Sequence, residues 1–370
     1  MKKILYVTTI SNTINAFLVK HILFLKNNGY DVGVACSLKN EIDEKLIEEG
    51  VRVHIVPYNR NPLKISNLKA ANQIKMIVNE NNYDIVHVHT PVAAFYSRLF
   101  LRKEAVEVVY TCHGFHFYKG APIINWLIYY PLEKIASRWT DVIVTINKED
   151  YNNAKRMKLR GKNKVFLMKS VGIDPNKYYT DPSFDRDKYR QKIGVDENDF
   201  MILILAEINN NKNHIQVIKA MELLKEDNLN IKVICAGKGK LINKLQKIVS
   251  EKGLRENIRF IGFRKGVKEL IECSDCIALF SKREGLGKCL LEGMIMHKPV
   301  IATNTRGPRE LVKNEKNGLL VGVGDIENTA KIIKRLYNNE ELRVSFGEES
   351  EIIAREFYLE NVLNKLNTYY

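Results

Sequence analysis

Two rounds of apolar runs alternating with amphipathic stretches, separated by one break, constrain this chain more than any other feature. Residues 4–9, 31–36, 51–56, 85–89, 106–112, 142–146 and 165–168 are short runs rich in β-branched residues. Between them, residues 15–28, 41–49 and 65–79 are expected to be helical, the first through Phe17, Leu18, Ile22 and Leu25 at helical spacing. Near-continuous apolar strands separated by helices are the mark of a parallel sheet covered on both faces. Residues 170–196 break the rhythm with Gly172, Pro175, Pro182 and many polar side chains, a linker composition. The rhythm then restarts with strands at 200–205, 231–236, 258–262, 277–280 and 300–303, and helices at 212–225 and 240–252. The expected class is α/β: two Rossmann-like, doubly wound domains, 1–170 and 197–351, joined by a linker at 171–196 and facing a central cleft. A length of 370 residues suits two domains, and 45% hydrophobic residues suffices for two cores. Residues 352–370 are amphipathic through Ile353, Phe357, Leu363 and Leu366. They form either an ordinary terminal helix or one that packs back onto the first domain.

Residues 281–294 follow the run at 277–280 and read S-K-R-E-G-L-G-K-C-L-L-E-G-M. The order is strand, glycine-spaced turn, helix. In an open α/β sheet that turn lies at the carboxyl end of a strand, where ligands bind. Its free N–H groups and the helix dipole suit a phosphate. Glu284 and Glu292 bracket it, and carboxylates are suited to accept hydrogen bonds from sugar hydroxyls. Lys212 stands at the matching position after the strand at 200–205. A cation is unfavourable at a helix N-terminus, so another reason for it is needed, and a phosphate supplies one. Gly237-Lys-Gly239 follows the strand at 231–236, so three loops are expected to converge on one mouth. No G-x-G-x-x-G follows the first strand, which argues against a nicotinamide enzyme.

The first half holds His87, His89, His113 and His116. No acidic ligand accompanies them, so a metal site is not expected. His113, followed by Gly114, is the best single candidate to contact a substrate hydroxyl or steady developing charge. A satisfied structural histidine is the competing reading. Cys273 and Cys276 have redox spacing without a second pair, and the six cysteines are expected to be buried thiols.

The formal net charge of +15 points to an acidic partner. Lys155, Arg156, Lys158, Arg160, Lys162, Lys164 and Lys169 crowd one segment, with Lys64, Lys69, Lys75, Arg98, Arg102 and Lys103 elsewhere in the first domain. The apolar, aromatic run at 123–130 is nearby in sequence. Basic residues with aromatic neighbours fit an anionic membrane surface. Nucleic acid is the competitor, but no nucleic-acid-binding signature is present. The apolar run at 4–10 is too short for a signal peptide or a span, so a cytoplasmic protein, peripheral on the inner face of a bacterial membrane, is expected.

Taken together these segments resemble the family-4 glycosyltransferases of GT-B fold, over nearly the whole chain. The most specific part is E-x7-E, Glu284 to Glu292. Support comes from His87-Val-His89-Thr-Pro91, Val171-Gly-Ile-Asp174, Cys235-Ala-Gly-Lys-Gly239, Phe260-Ile-Gly-Phe263, Arg306-Gly-Pro-Arg-Glu310 and Asn317-Gly-Leu-Leu-Val321. The segment His113-Gly-Phe-His116-Phe-Tyr-Lys-Gly120 resembles a bacterial capsule and exopolysaccharide subgroup. The resemblance implies a retaining, metal-independent hexosyl- or N-acetylhexosaminyl-type transferase. It would use a UDP-sugar donor and a lipid-linked saccharide acceptor, with undecaprenyl diphosphate as carrier. Glu292 would bind the ribose hydroxyls, and Glu284 the donor sugar near the reacting centre. Gly285, Leu286 and Gly287 would offer N–H groups to the distal phosphate, and Lys212 its charge. His113 would meet the donor sugar, and Arg264 would border the base.

Two departures stand out. Ala206-Glu207-Ile208 replaces the family's arginine-bearing segment before the lysine, so Arg283 or Lys288 is expected to supply the missing charge. Ser11, Asn12 and Thr13 replace the glycine-rich turn after the first strand. A non-hydrolysing UDP-sugar epimerase and a non-catalytic GT-B binding protein are the rival readings. The E-x7-E context disfavours the first. The joint presence of Lys212, Glu284 and Glu292 disfavours the second.

Overall fold

The computed structural model describes residues 1–161 and 164–370, so Lys162 of the basic segment lies outside the described residues. The chain forms two compact units, Met1–Gly172 with Leu359–Tyr370, and Ile173–Tyr358. The first is built on seven parallel strands: β1 (Lys3–Ile10), β2 (Asp31–Ser37), β3 (Arg52–Ile55), β4 (Ile85–His89), β5 (Glu107–Cys112), β6 (Val142–Thr145) and β7 (Lys164–Leu167), in the order β3-β2-β1-β4-β5-β6-β7. Alternate residues feed opposite cores. Leu5, Val7, Val86 and Val88 face one side, and Ile4, Tyr6, Ile85 and Val109 the other. Burial on both faces explains why the central strands are apolar without alternation, while the edge strands β3 and β7 are partly exposed.

The second unit has six parallel strands: β8 (Phe200–Leu205), β9 (Ile231–Ala236), β10 (Ile258–Gly262), β11 (Cys276–Leu279), β12 (Val300–Thr303) and β13 (Gly318–Val321), in the order β10-β9-β8-β11-β12-β13. Ile202, Ile204 and Val233 face one core, and Met201, Leu203 and Ile234 the other. Both sheets reverse their strand order once, between β1 and β4 and between β8 and β11. Such a switch point opens a crevice at the carboxyl ends of the two central strands.

Residues 173–196 do not form the expected linker. Residues 173–196 lie in the second unit, with short helices at Pro175–Tyr178 and Arg186–Lys192. Ile193 and Val195 join its core. Arg190 is buried and donates to the carbonyls of Cys273 (2.6 Å), Asp196 (2.9 Å) and Asp199 (2.5 Å). A polar composition conceals a packed segment here because a buried guanidinium can be satisfied by backbone oxygens. Residues 352–354 end the second unit's helix Glu340–Ala354, while Leu359–Leu366 returns to the first unit and buries Val362, Leu366 and Tyr369 in its core.

The basic stretch also needs correction. Arg98 is fully buried, paired with Glu133 at 3.0 Å, and Lys75 and Arg160 are paired with Glu104 and Asp141. Five of the six cysteines are buried and none is in a disulfide. Burial pushes the Cys273 thiol up to about 11 and the Cys276 thiol further up, the opposite of a reactive pair. Among the described residues, no helix is long and apolar enough to cross a membrane.

Candidate active site

The loop after β8 carries Lys212 and the loop after β11 carries Glu284, so both sit at the second sheet's switch point. The two loops are tied together. The Lys282 N–H donates to the Asn211 carbonyl (2.8 Å), and the Asn211 side-chain amide donates to the Arg283 carbonyl (3.0 Å). The Lys212 N–H donates to Asn209 Oδ1 (3.0 Å). Across this joint Lys212 Nζ lies 2.5 Å from Glu284 Oε1, with both side chains largely shielded. Each therefore neutralises the other's partly desolvated charge. His214 lies buried just beyond, and its imidazole is held neutral, its pKa pulled down to about 4, first by burial and then by the Lys212 charge.

Gly287, in the left-handed region at φ +97°, caps the helix Lys288–Ile295 and turns the chain from the β11 loop into it. Gly285 and Leu286, just before it, are half-buried. Their backbone is held from the β12 side. A Cβ on Gly307 would lie 2.6 Å from the Leu286 nitrogen and 2.7 Å from the Gly285 carbonyl carbon. Only glycine permits that approach. Glu292, on the helix's second turn, is nearly buried. Its Oε1 accepts from the Tyr178 hydroxyl (2.7 Å) and from Lys288 Nζ (3.1 Å). Burial and the adjacent Glu292 carboxylate push the Tyr178 hydroxyl well up, so it stays protonated and donates to that carboxylate. Lys212, Glu284, Gly285, Leu286, Gly287 and Glu292 are thus brought together on two adjacent loops and one helix.

Other expected participants are placed differently. Gly237 and Gly239 serve backbone contact: a Cβ on each would meet the Ala206 carbonyl oxygen at 1.9 Å and the Ile208 carbonyl oxygen at 2.3 Å. The Gly237 N–H donates to the Gly262 carbonyl (2.9 Å). A G-x-G spacing does not distinguish a phosphate cradle from two strands' loops meeting. Arg264 is exposed beyond β10, the sheet's edge strand, beside Lys192, Arg255 and Arg259. Arg283 and Glu207 are exposed, and Lys288 is engaged with Glu292. Tyr178 and Gly307 were not anticipated. Tyr178 lies 114 positions from the Glu292 it supports, and Gly307 lies beyond the next strand, where only the Arg306-Gly-Pro-Arg-Glu310 segment hinted at it.

In the first unit His113 follows β5. Its Nε2 lies 3.2 Å from His89 Nδ1, and His89 stacks on Tyr6 at 5.3 Å between ring centres. His87 bridges the Tyr370 hydroxyl (2.6 Å) and Thr111 Oγ1 (2.7 Å). Burial, then neighbouring imidazoles, hold His87 and His89 neutral, and burial with His21 pulls His113 down to about 4. His116 turns away and stacks on Tyr129 at 4.6 Å. Among the described residues no group of three or more His, Cys, Asp or Glu is gathered as metal ligands. At the place of the glycine-rich turn, the buried Ser11 hydroxyl donates to the Asn40 carbonyl (2.7 Å) and accepts from the Lys39 and Asn40 N–H groups (3.0 and 3.1 Å).

Comparison with known proteins bears on this geometry. Residues 185–352 match the family described as glycosyl transferases group 1, and residues 3–147 match glycosyl transferase 4-like. A putative glycosyltransferase, EpsD, of Bacillus subtilis strain 168 is 36% identical over 362 residues, covering 96% of this chain and 93% of its own. An Escherichia coli UDP-Gal:alpha-D-GlcNAc-diphosphoundecaprenol alpha-1,3-galactosyltransferase is 25% identical over 352 residues, covering 94% and 90%. The crystal structure of Anabaena Alr3699/HepE in complex with UDP superposes with a TM-score of 0.81 at 20% identity, over 100% of this chain and 99% of that one. Two parallel-sheet units, two family matches that divide between them and a relative spanning the whole chain agree: this chain belongs to the family-4 glycosyltransferases of GT-B fold, of the capsule and exopolysaccharide kind.

Proposed function

We propose that this transferase moves a hexosyl or N-acetylhexosaminyl group from a UDP-sugar to a lipid-linked saccharide, with retention and without a metal. Undecaprenyl diphosphate is the proposed carrier, and the inner face of a bacterial membrane the proposed place of action. The carrying observation is the Lys212–Glu284 pair at the β8/β11 switch point, with Glu292 behind it on the helix Lys288–Ile295. The E. coli relative, whose name gives a UDP-sugar donor and a diphosphoundecaprenol acceptor, supports the reading, as does the UDP in the Anabaena structure.

In this scheme an incoming diphosphate takes Lys212 from Glu284. Glu284 is thereby released to accept hydrogen bonds from donor-sugar hydroxyls, so one exchange loads both ends of the donor. Lys212 and the backbone N–H groups at Gly287 and Lys288 then stabilise the charge that develops on leaving UDP. Glu292, held by Tyr178, takes the ribose hydroxyls. His113 contributes a neutral imidazole to the reaction. Retention follows from front-side displacement assisted by the leaving phosphate.

Lys212→Ala is expected to lower turnover by roughly a hundred- to a thousandfold, and Glu292→Ala to abolish the thermal stabilisation given by UDP. Near-normal turnover in both variants would sink the site assignment. Transfer should continue in chelator, and NMR of the product should show the donor's anomeric configuration. Manganese rescue of a chelator-killed enzyme would overturn the metal-free step.

A further inference from the structure

The helix Ile123–Ala136 is amphipathic in an unusual sense, because its outward face is apolar. Ile123, Ile124, Leu127, Ile128, Leu132 and Ile135 are 74, 54, 65, 47, 40 and 47% exposed. Their spacing places them along one side of the helix. The opposite side is already used. Trp126 and Tyr130 pack on Phe117 at 5.4 and 5.2 Å between ring centres, and Glu133 takes the buried Arg98. The stripe is therefore not a core face in a poor rotamer. A contiguous exposed apolar surface of this kind marks an interaction site.

Its surroundings select the partner. Lys119 precedes the helix, Lys134 stands at the stripe's margin and Arg138 follows it, all exposed. Exposed Lys158 is brought to the same end, since the Ser137 hydroxyl donates to its carbonyl (3.0 Å). A second copy of this chain would set these cations against their own kind. An anionic bilayer meets both features, with apolar side chains entering the acyl boundary and cations meeting headgroups. We propose that the face of Ile123–Ala136 docks this enzyme on anionic phospholipid. This deepens the reading above, in which the acceptor is lipid-borne.

The docking helix is also tied to the loop that starts at His113. The Asn125 amide donates to the His116 carbonyl (3.0 Å), the Trp126 indole N–H donates to the Tyr118 carbonyl (3.2 Å), and Tyr129 stacks on His116. Docking thus fixes the wall behind the His113 loop at the bilayer, and a carrier-bound acceptor would reach that loop without leaving the membrane.

The test is sedimentation with vesicles. Wild type is expected to bind phosphatidylcholine vesicles containing phosphatidylglycerol, and to bind pure phosphatidylcholine much less. The double variant Ile124→Glu/Leu127→Glu is expected to bind about a hundredfold more weakly, having lost two apolar insertions. It should keep wild-type stabilisation by UDP and wild-type transfer to a detergent-dispersed acceptor. Absent vesicle binding by wild type, or unchanged binding by the variant, overturns the proposal. So does a wild-type dimer that the variant converts to monomer without effect on vesicles. Vesicle binding lost in the variant, with no transfer to any acceptor by wild type, upholds docking and instead removes the proposed reaction.

Discussion

At the scale of single residues, the carboxylate of Glu292 is the most heavily supported group in the site. One of its oxygens holds both the Tyr178 hydroxyl and Lys288 Nζ. These two contacts differ in worth. Lys288 is 60% exposed at the side chain, and an i,i+4 pair at that exposure contributes little. Tyr178 is partly buried, and a neutral donor to a buried carboxylate is worth about 1.5–3 kcal/mol. Tyr178→Phe is therefore expected to raise the dissociation constant of UDP by roughly tenfold. Turnover at saturating donor should change little, because Tyr178 only aims Glu292. Calorimetric titration decides it, and unaltered UDP affinity would refute the assignment. That Glu284 and Glu292 share one turn-and-helix segment was legible in the sequence, because the strand, the glycine-spaced turn and the helix follow one another there. Tyr178 was not, since 114 positions separate it from Glu292 and its own segment has the composition of a linker.

At the scale of elements, the site is a joint between loops, and its precision depends on backbone approach. The Gly285–Leu286 backbone rests against Gly307, and Thr303 Oγ1 donates to the Ser281 carbonyl at 2.6 Å, so β12 holds the β11 loop from behind. Gly307→Ala must displace that loop by the few tenths of an ångström or more that a 2.6 Å contact demands. The expected outcome is a folded protein with a cooperative melt and a several-fold weaker response to UDP in a thermal-shift titration. An unchanged response would mean that the loop's position does not matter for the phosphate. The alternation of strands and helices was readable because buried parallel strands are uniformly apolar. β13 was not identified as a strand: Gly318–Val321 is four residues long and emerges from a polar turn. The close contacts of Gly237 and Gly239 were not legible for a related reason, as the sequence shows a glycine but not which carbonyl lies against it.

At the scale of the whole molecule, both units bury neutral imidazoles. Burial lowers the pKa values of His21, His87 and His89, and takes His113 and His214 to about 4. An unfolded histidine takes up its proton near pH 6.5, whereas folded His113 and His214 stay neutral until about pH 4. Between those values the unfolded chain binds more protons, so stability falls as pH falls. Each such group contributes about 1.4 kcal/mol per pH unit inside that window. The melting temperature should drop steeply from pH 7 to pH 5 and be flat from pH 7 to pH 8. A flat profile through pH 5 would show that these rings are not buried neutral. One further consequence comes from the way the chain is divided. The second unit is a single unbroken stretch, while the first owes Val362, Leu366 and Tyr369 of its core, and the Tyr370 hydroxyl on His87, to residues beyond it. During synthesis the first half must therefore wait, its core open on one side, until the second half has left the ribosome. The unit that carries the His113 loop and the apolar helix is the last to be completed, although it is the first to be made.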